Sequence, residues 1–190
     1  MILVTTVGRS GSSFLMKFLS QTGIDIGTDK WFDKFNAGLE HPDVTTINGD
    51  LISKIIKDKD VDIWDLWSRI AGLKLDVYKD PQFVAHKEII RHWRQVRKDI
   101  KIIFLHRNPQ DVVDSCKKIP EWTGPTYRLF PEMITAKNNN FLKVCDKLKI
   151  PTKKFKFPQM LDEGQEVIES LSEWIDFPDD ALETWNKLRR

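Results

Sequence analysis

The sequence has few of the residues that define disulfide-rich, metal-binding or strongly basic proteins. Only 2 of its 190 residues are cysteines and 4 are histidines, and 30 Lys and Arg nearly balance 28 Asp and Glu. Cys116 and Cys145 have neither the count of a disulfide framework nor the spacing of metal ligands, so both are predicted to be free, buried thiols in a reducing, cytoplasmic environment. A net charge of +2 argues against nucleic acid as a partner, so any anion site must be local.

Long hydrophobic runs are also missing. The apolar start ILVTTV at 2–7 is interrupted at Gly8 and Arg9, before it could form a signal-peptide core or cross a bilayer, and no other run is longer. We therefore expect a chain without a membrane span. With 41% hydrophobic residues, including 7 tryptophans, it can bury a sizeable core, and residues 1–190 are expected to form a single domain.

Predicted strands alternate with predicted helices along the chain. Strands are indicated at 2–7, 75–79 and 101–106, and helices after the glycines at 8 and 11, at about 84–97 and at about 109–118. This alternation predicts a three-layer α/β/α fold with a mainly parallel central sheet, in which ligands bind at the carboxyl ends of the strands.

Two further regions are expected to be helical. The segment at about 31–74 is predicted to be mostly helical, with Trp64 and Trp67 in the core. Near the C-terminus an apolar stripe begins at Val167, and Asp162 and Gln165 are spaced like an N-terminal capping pair.

The first candidate site is the segment GRSGSS, where a strand passes into a helix. Its candidate ligand-binding residues are Gly8, Arg9, Ser10, Gly11, Ser12 and Ser13. Backbone N–H groups and the helix dipole converge on one point at such a junction, which suits an anion. The lysine of the common nucleotide P-loop is missing, because Ser12 follows Gly11. The alternative is an ordinary glycine turn with a solvated arginine.

The second candidate site lies at the end of the strand at 101–106. Arg107 leaves that strand, and Ser115 follows eight residues later, about two helical turns into the next element. Taken alone, these residues are a turn with a surface arginine and a helix serine bonded to its own backbone. Because both candidate segments follow strand ends, they are expected to converge on one ligand.

These two segments resemble motifs of the sulfotransferase family. GRSGSSF is similar to the family's 5′-phosphosulfate loop, and RNPQDVVDS at 107–115 is similar to its Arg-x-Pro-x-Asp-x-x-x-Ser segment, which holds a 3′-phosphate. Weaker similarities cover 38–52, 78–83 and 155–178. The resemblance implies a sulfotransferase fold of the P-loop NTPase type and a donor, 3′-phosphoadenosine-5′-phosphosulfate (PAPS), that becomes adenosine 3′,5′-bisphosphate (PAP).

The resemblance also implies individual roles. Arg9 stands where many members carry a loop lysine, and the stretch 10–13 would bind the 5′-phosphosulfate. Arg107 and Ser115 would hold the 3′-phosphate. Lys79 would lie near the oxygen that bridges the 5′-phosphate and the sulfuryl group. The chain departs from the cytosolic small-molecule members at Pro81, which replaces their histidine, and it lacks their C-terminal glycine motif.

Sulfuryl transfer needs a base for the acceptor and cations near the departing phosphate. Arg9 and Lys79 are the candidates for stabilising the leaving group. Glu40 is the candidate base and His41 its alternative, although a solvated loop carboxylate would equally explain Glu40. The donor chemistry has no intrinsic need for a metal, and none is expected.

The acceptor is not encoded in a readable pattern. A small molecule, a carbohydrate or a lipid is expected, with specificity set by 31–74 and 119–140, and the segment 121–132 would be either a lid or a packed connection. Two other functions compete: a small P-loop kinase using ATP and magnesium, against which the missing lysine argues, and a non-catalytic module that binds PAPS or PAP.

Overall fold

The computed structural model describes residues 1–27, 31–32, 37–118 and 130–189. Its central sheet has four parallel strands in the order β4-β1-β5-β6, with a separate antiparallel pair, β2 and β3. The strands are β1 (Ile2–Thr5), β2 (Trp31–Phe32), β3 (Ala37–Gly38), β4 (Val77–Lys79), β5 (Lys101–Arg107) and β6 (Thr152–Phe157).

Helices occupy most of the rest of the described chain. They are α1 (Ser12–Gln21), α2 (Pro42–Ile56), α3 (Ile63–Ala71), α4 (Gln82–Ala85), α5 (Glu88–Val96), α6 (Pro109–Lys117), α7 (Pro131–Lys147), α8 (Gly164–Ser172) and α9 (Ala181–Arg189), with a 3₁₀ turn at Gln159–Leu161. Within the described ranges, none of these helices combines the length and the apolar character needed to cross a membrane.

The central sheet is buried on both faces, because alternate residues of its strands enter different cores. Leu3 packs into a core built with α2, α3, α5 and α7. Ile2 and Val4 point to the opposite face and pack with α1, α8 and α9. A strand that is apolar at successive positions is typical of this two-sided burial. The predicted three-layer α/β/α arrangement with a parallel sheet is confirmed.

Two of the predicted elements have different bounds. The first strand ends at Thr5 rather than at 7, because the chain already turns toward the glycine loop. The helix predicted at 84–97 is two helices, since His86 adopts φ −132 and ψ 73 and interrupts the helical hydrogen bonds between α4 and α5.

The prediction that Trp64 and Trp67 belong to the core is wrong. Their side chains are 82% and 52% exposed, respectively. The buried stripe of α3 consists of Leu66 and Ile70, which are spaced by one helical turn and leave both tryptophans on other faces.

The predicted capping pair at the start of α8 is also wrong. Asp162 instead pairs with Arg189, with 3.0 Å between Oδ1 and the guanidinium NH2, and Gln165 donates to Glu169 Oε1 at 2.6 Å. The helix begins only at Gly164, where the Trp185 indole occupies the space a side chain would need: a Cβ there would lie 2.5 Å from its Cδ1.

Parallel pairing places the carboxyl ends of β1, β4, β5 and β6 along one edge of the sheet. The glycine loop follows β1 and Asp80 follows β4. Arg107 ends β5, and Phe157 ends β6. Residues that are far apart in the sequence therefore meet at this edge, which is the position of ligand sites in open parallel sheets.

Candidate functional site

The loop after β1 has a backbone conformation that only a few residue types accept easily. Gly8 has φ 103, Gly11 has φ 84, and Arg9 between them has φ 52. Glycine adopts positive φ readily, whereas a non-glycine residue there is uncommon and strained. Arg9 is therefore held in a costly conformation, as is often found at ligand sites.

Gly11 sets both the end of the loop and the start of α1. Gly11 is the N-cap residue of that helix, and it has no side chain that could cap the first-turn N–H groups. These N–H groups therefore donate no hydrogen bond to an N-cap side chain. A Cβ at this position would lie 2.3 Å from Cδ2 of Phe157, which ends β6. Only glycine lets the loop approach β6 so closely.

The three serines of the loop have different environments. Ser10 is buried, and its hydroxyl donates to the Gly8 carbonyl at 3.0 Å, which braces the loop from inside. Ser12 is also buried, at the first position of α1. The Ser13 hydroxyl accepts a hydrogen bond from Lys79 Nζ at 3.2 Å. Ser13 therefore connects the loop to the end of β4.

The second predicted segment lies directly against the first. Arg9 Nε donates to Ser115 Oγ at 3.1 Å, and Arg107 NH1 donates to the Arg9 carbonyl at 3.3 Å. These bonds join residues that are 106 and 98 positions apart in the chain. Asn108 fixes the geometry, because its Oδ1 caps α6 through Gln110 N at 2.9 Å and so sets the face on which Ser115 lies.

Arg107 has the surroundings of an anion-binding arginine. Its Nε is buried and has no hydrogen-bond acceptor among the described residues, and the Asp111 Oδ2 lies 3.8 Å away. Its guanidinium carbon lies 5.4 Å from the centre of the Phe157 ring, so the aromatic face orients the planar fork. A buried donor without an acceptor is costly, and a phosphate oxygen would satisfy it.

Lys79 and Glu40 form an ion pair beside the loop. Lys79 Nζ lies 2.8 Å from Glu40 Oε1, and the lysine side chain is only 3% exposed. Burial lowers the pKa of Lys79, and the Glu40 carboxylate partly opposes that shift. The structure thus brings together the predicted leaving-group cation and the predicted base. In the sequence Glu40 comes before α2, whereas Lys79 comes after α3.

His41, the alternative base, has a structural position. Its Nδ1 accepts from Asp43 N at 3.2 Å and so caps α2, and its ring meets Tyr78 edge to face at 5.2 Å between centroids. Because Nδ1 is an acceptor in this bond, the proton of the neutral ring is carried by Nε2. This cap fixes the start of α2, and with it the position of Glu40, the residue directly before His41.

A buried polar network behind Lys79 was missed by the sequence analysis. Asn48 Nδ2 donates to Asp80 Oδ2 at 2.9 Å, and Trp93 Nε1 donates to Asn48 Oδ1 at 2.8 Å. The other Asp80 oxygen accepts from Gln82 N at 2.8 Å. Burial raises the pKa of Asp80 to about 6 despite these donors. The signal that could have revealed it is Asn48 itself, a polar residue on the buried stripe of α2.

The ranges that the structure describes contain no group of three or more His, Cys, Asp or Glu that could hold a metal ion. Cys116 and Cys145 are free and buried, as predicted, and burial raises the pKa of both thiols. Of the segment 121–132, the part up to 129 lies outside the described residues, and α7 begins at Pro131.

Two solved structures share this architecture. The Sulfotransferase Domain from the Curacin Biosynthetic Pathway is 18% identical with a TM-score of 0.60, and the match covers 97% of this chain and 77% of that chain. The Sulfotransferase Domain from the Synechococcus PCC 7002 Olefin Synthase is 18% identical with a TM-score of 0.60, covering 96% and 75%. No protein-family model and no curated protein matches the sequence. The chain therefore has the fold of these sulfotransferase domains, and the expectation of a sulfotransferase fold is confirmed.

Proposed function

We propose that this protein is a PAPS-dependent sulfotransferase that transfers a sulfuryl group to a hydroxyl or amine of a small-molecule, carbohydrate or lipid acceptor. The product nucleotide is PAP. Residues 1–190 are proposed to act as one unit of this kind, with the donor bound across the carboxyl edge of the sheet.

One observation carries the proposal: the two phosphate-type segments are joined through Arg9. Its Nε bonds to Ser115 while its carbonyl accepts from Arg107, at 3.1 and 3.3 Å. A loop that binds a single phosphate has no need of a second cationic anchor. Two adjacent anchors fit a donor that carries phosphate at both the 5′ and the 3′ position.

The anchors divide the donor between them. The 3′-phosphate would be bound by Arg107 and by the Ser115 hydroxyl. The buried Arg107 Nε has no hydrogen-bond acceptor among the described residues, so a phosphate oxygen could fill that place. The loop from Gly8 to Ser13 would bind the 5′-phosphosulfate through backbone N–H groups at the N-terminus of α1. Arg9 lies between these two groups and can neutralise charge on either one.

Glu40 and Lys79 supply the chemistry at the sulfuryl end. The acceptor oxygen or nitrogen forms a bond to sulfur as the bond between sulfur and the 5′-phosphate oxygen breaks, and Glu40 takes the acceptor proton. Lys79 and Arg9 neutralise the charge that develops on the departing phosphate. Lys79 suits this role because Ser13 and Glu40 fix its ammonium group, so little reorganisation is needed during the reaction.

Calorimetric titration without magnesium tests the nucleotide site. PAP is expected to bind more tightly than AMP, and Arg107→Ala to weaken PAP by about 10- to 100-fold because a charge-assisted hydrogen-bond donor is lost. Arg69→Ala, which removes a partly exposed arginine on α3, is the matched control and should leave PAP binding unchanged.

Each alternative predicts a different result in this experiment. A preference for ATP once magnesium is added would assign the protein to the kinases. Equal affinity for PAP and AMP would refute the 3′-phosphate anchor. PAP binding with no sulfated product from a broad acceptor panel would identify a binding module without turnover.

A further inference from the structure

A cavity of about 260 Å³ lies between the C-terminal half of α2, the turn joining α4 to α5, and the first half of α7. Its apolar wall consists of Ile52, Ile55, Ile56, Val84 and Ala85. None of the residues assigned to the donor site lines it. Pockets with a mainly apolar wall and a few convergent polar groups are the usual form of small-molecule sites.

The lining of this cavity includes two lysines. Lys87 and Lys137 both line it and are partly buried, and neither forms an ion pair with a carboxylate in the described part of the chain. The one carboxylate in the lining, Glu88, is already engaged by Arg91, with 2.6 Å between Oε2 and Nε. Two lysines that are not paired with a carboxylate of the described residues can both donate to one anion, so the cavity is complementary to an anion.

His86 adds a polar group without adding charge. It lines the same cavity, and burial together with the neighbouring Lys137 lowers the pKa of its imidazole. At neutral pH the ring is uncharged and can donate a hydrogen bond from one nitrogen. The two lysines and this ring therefore provide hydrogen-bond donors in the lining, together with the apolar surface of the α2 isoleucines.

The size of the cavity limits its occupant. A volume of about 260 Å³ corresponds to roughly nine water molecules at about 30 Å³ each. That space suits a short aliphatic chain. The exposed Ile56 side chain, at 71%, extends the apolar wall outward, so a chain could continue beyond the cavity along α2.

We propose that this cavity is a second binding site, which takes a short aliphatic carboxylate. Its head group contacts Lys87 and Lys137, and its chain lies on Ile52, Ile55 and Val84. The site lies close to the buried network, because Ile52 follows Asn48 by one turn of α2, and Val84 in α4 comes four residues after Asp80. It does not depend on the proposed sulfotransferase activity, since it shares no residue with the donor site.

Calorimetric titration with sodium octanoate at pH 7.5 tests this site. Octanoate is expected to bind, whereas acetate, which has only the head group, and octylammonium, which reverses the charge, are expected to bind at least about tenfold more weakly. The double variant Lys87→Ala/Lys137→Ala should weaken octanoate by at least about tenfold through loss of two charged hydrogen-bond donors.

Three variants separate this cavity from other anion sites. Lys143→Ala removes an exposed lysine from the same helix α7, and Arg107→Ala alters the donor site; neither should change octanoate affinity. Ala85→Phe fills the cavity and should abolish binding, with circular dichroism and Tm reporting that the variant is folded. The proposal is overturned if octanoate does not bind, if octylammonium binds equally well, or if the lysine double variant binds octanoate like the wild type.

Discussion

Replacing Asn48 by alanine should destabilise the protein more than any exposed substitution on the same helix. Asn48 is completely buried, and it is bonded both to Asp80 and to Trp93, which are buried as well. The substitution removes the donor to a carboxylate and the acceptor of an indole N–H in one step. No other described group bonds the Trp93 nitrogen.

The expected loss follows from these two bonds. A hydrogen bond to a charged group contributes about 1.5–3 kcal/mol, and an indole N–H left buried without an acceptor costs about 1–3 kcal/mol. The sum predicts a loss of about 2.5–6 kcal/mol in the free energy of unfolding, which is a large part of a typical domain's stability. Loss of the network should also loosen Lys79, which directly precedes Asp80 at the end of β4.

Urea unfolding followed by tryptophan fluorescence at pH 7.5 measures this loss. Asn139→Ala, an exposed asparagine on α7, is the matched control and should change stability by less than about 0.5 kcal/mol. Adding Trp93→Phe to Asn48→Ala removes the orphaned N–H, so the two substitutions should be less than additive by at least about 1 kcal/mol. A loss below about 1 kcal/mol for Asn48→Ala, or strict additivity in this cycle, would refute the reasoning.

Three other predictions concern the loop, the base and pH. Gly11→Ala should cost about 2–4 kcal/mol in urea unfolding, because its Cβ would overlap the Phe157 ring at positive φ, whereas Gly49→Ala, with open space in α2, should not destabilise. Glu40→Gln should reduce turnover by about 10²- to 10⁴-fold with little change in PAP affinity, and unchanged turnover would remove Glu40 from the mechanism. The pKa of Asp80 rises from 3.8 to about 6 on folding, so the protonated carboxyl favours the folded state. Protonation of Asp80 therefore contributes about 3 kcal/mol to the free energy of unfolding below about pH 4, and this contribution is lost as the pH rises through 6. The stability difference between wild type and Asp80→Asn, measured from pH 4 to 7, should change by that amount in favour of the variant, and a constant difference would contradict it.

The glycine loop and the Arg107 segment could be predicted because their information is local. In each case an apolar strand ends in glycine or proline within a few residues, and parallel pairing then brings such strand ends to one edge. The sequence could not show that Arg9 bonds to Ser115, since this contact depends on the relative position of α6 and the loop.

The misassigned residues share a physical cause. Trp64 and Trp67 were predicted to be buried from residue type alone, but the face of a short helix that is buried depends on the helix it packs against. The contact between Lys79 and Glu40, and the bonds of Asn48 to Asp80 and Trp93, join distant parts of the chain. Local periodicity marks Asn48 as a polar residue on a buried stripe, but it does not identify the partners in these contacts.

The strand order also determines when the protein can fold during its synthesis. Ile2 in β1 pairs with Val77 on one side and Lys101 on the other, so this apolar strand has no neighbour in the sheet until β4 has left the ribosome, and only one until β5 follows. At about 5–20 residues per second, translation from β1 to the first residues of β5 takes about 5–20 seconds. During that interval at least one edge of ILVT has no strand beside it, and other chains can join that edge. Slower translation between β1 and β5 is therefore expected to lengthen the time for which this edge is open to chaperones and to other nascent chains.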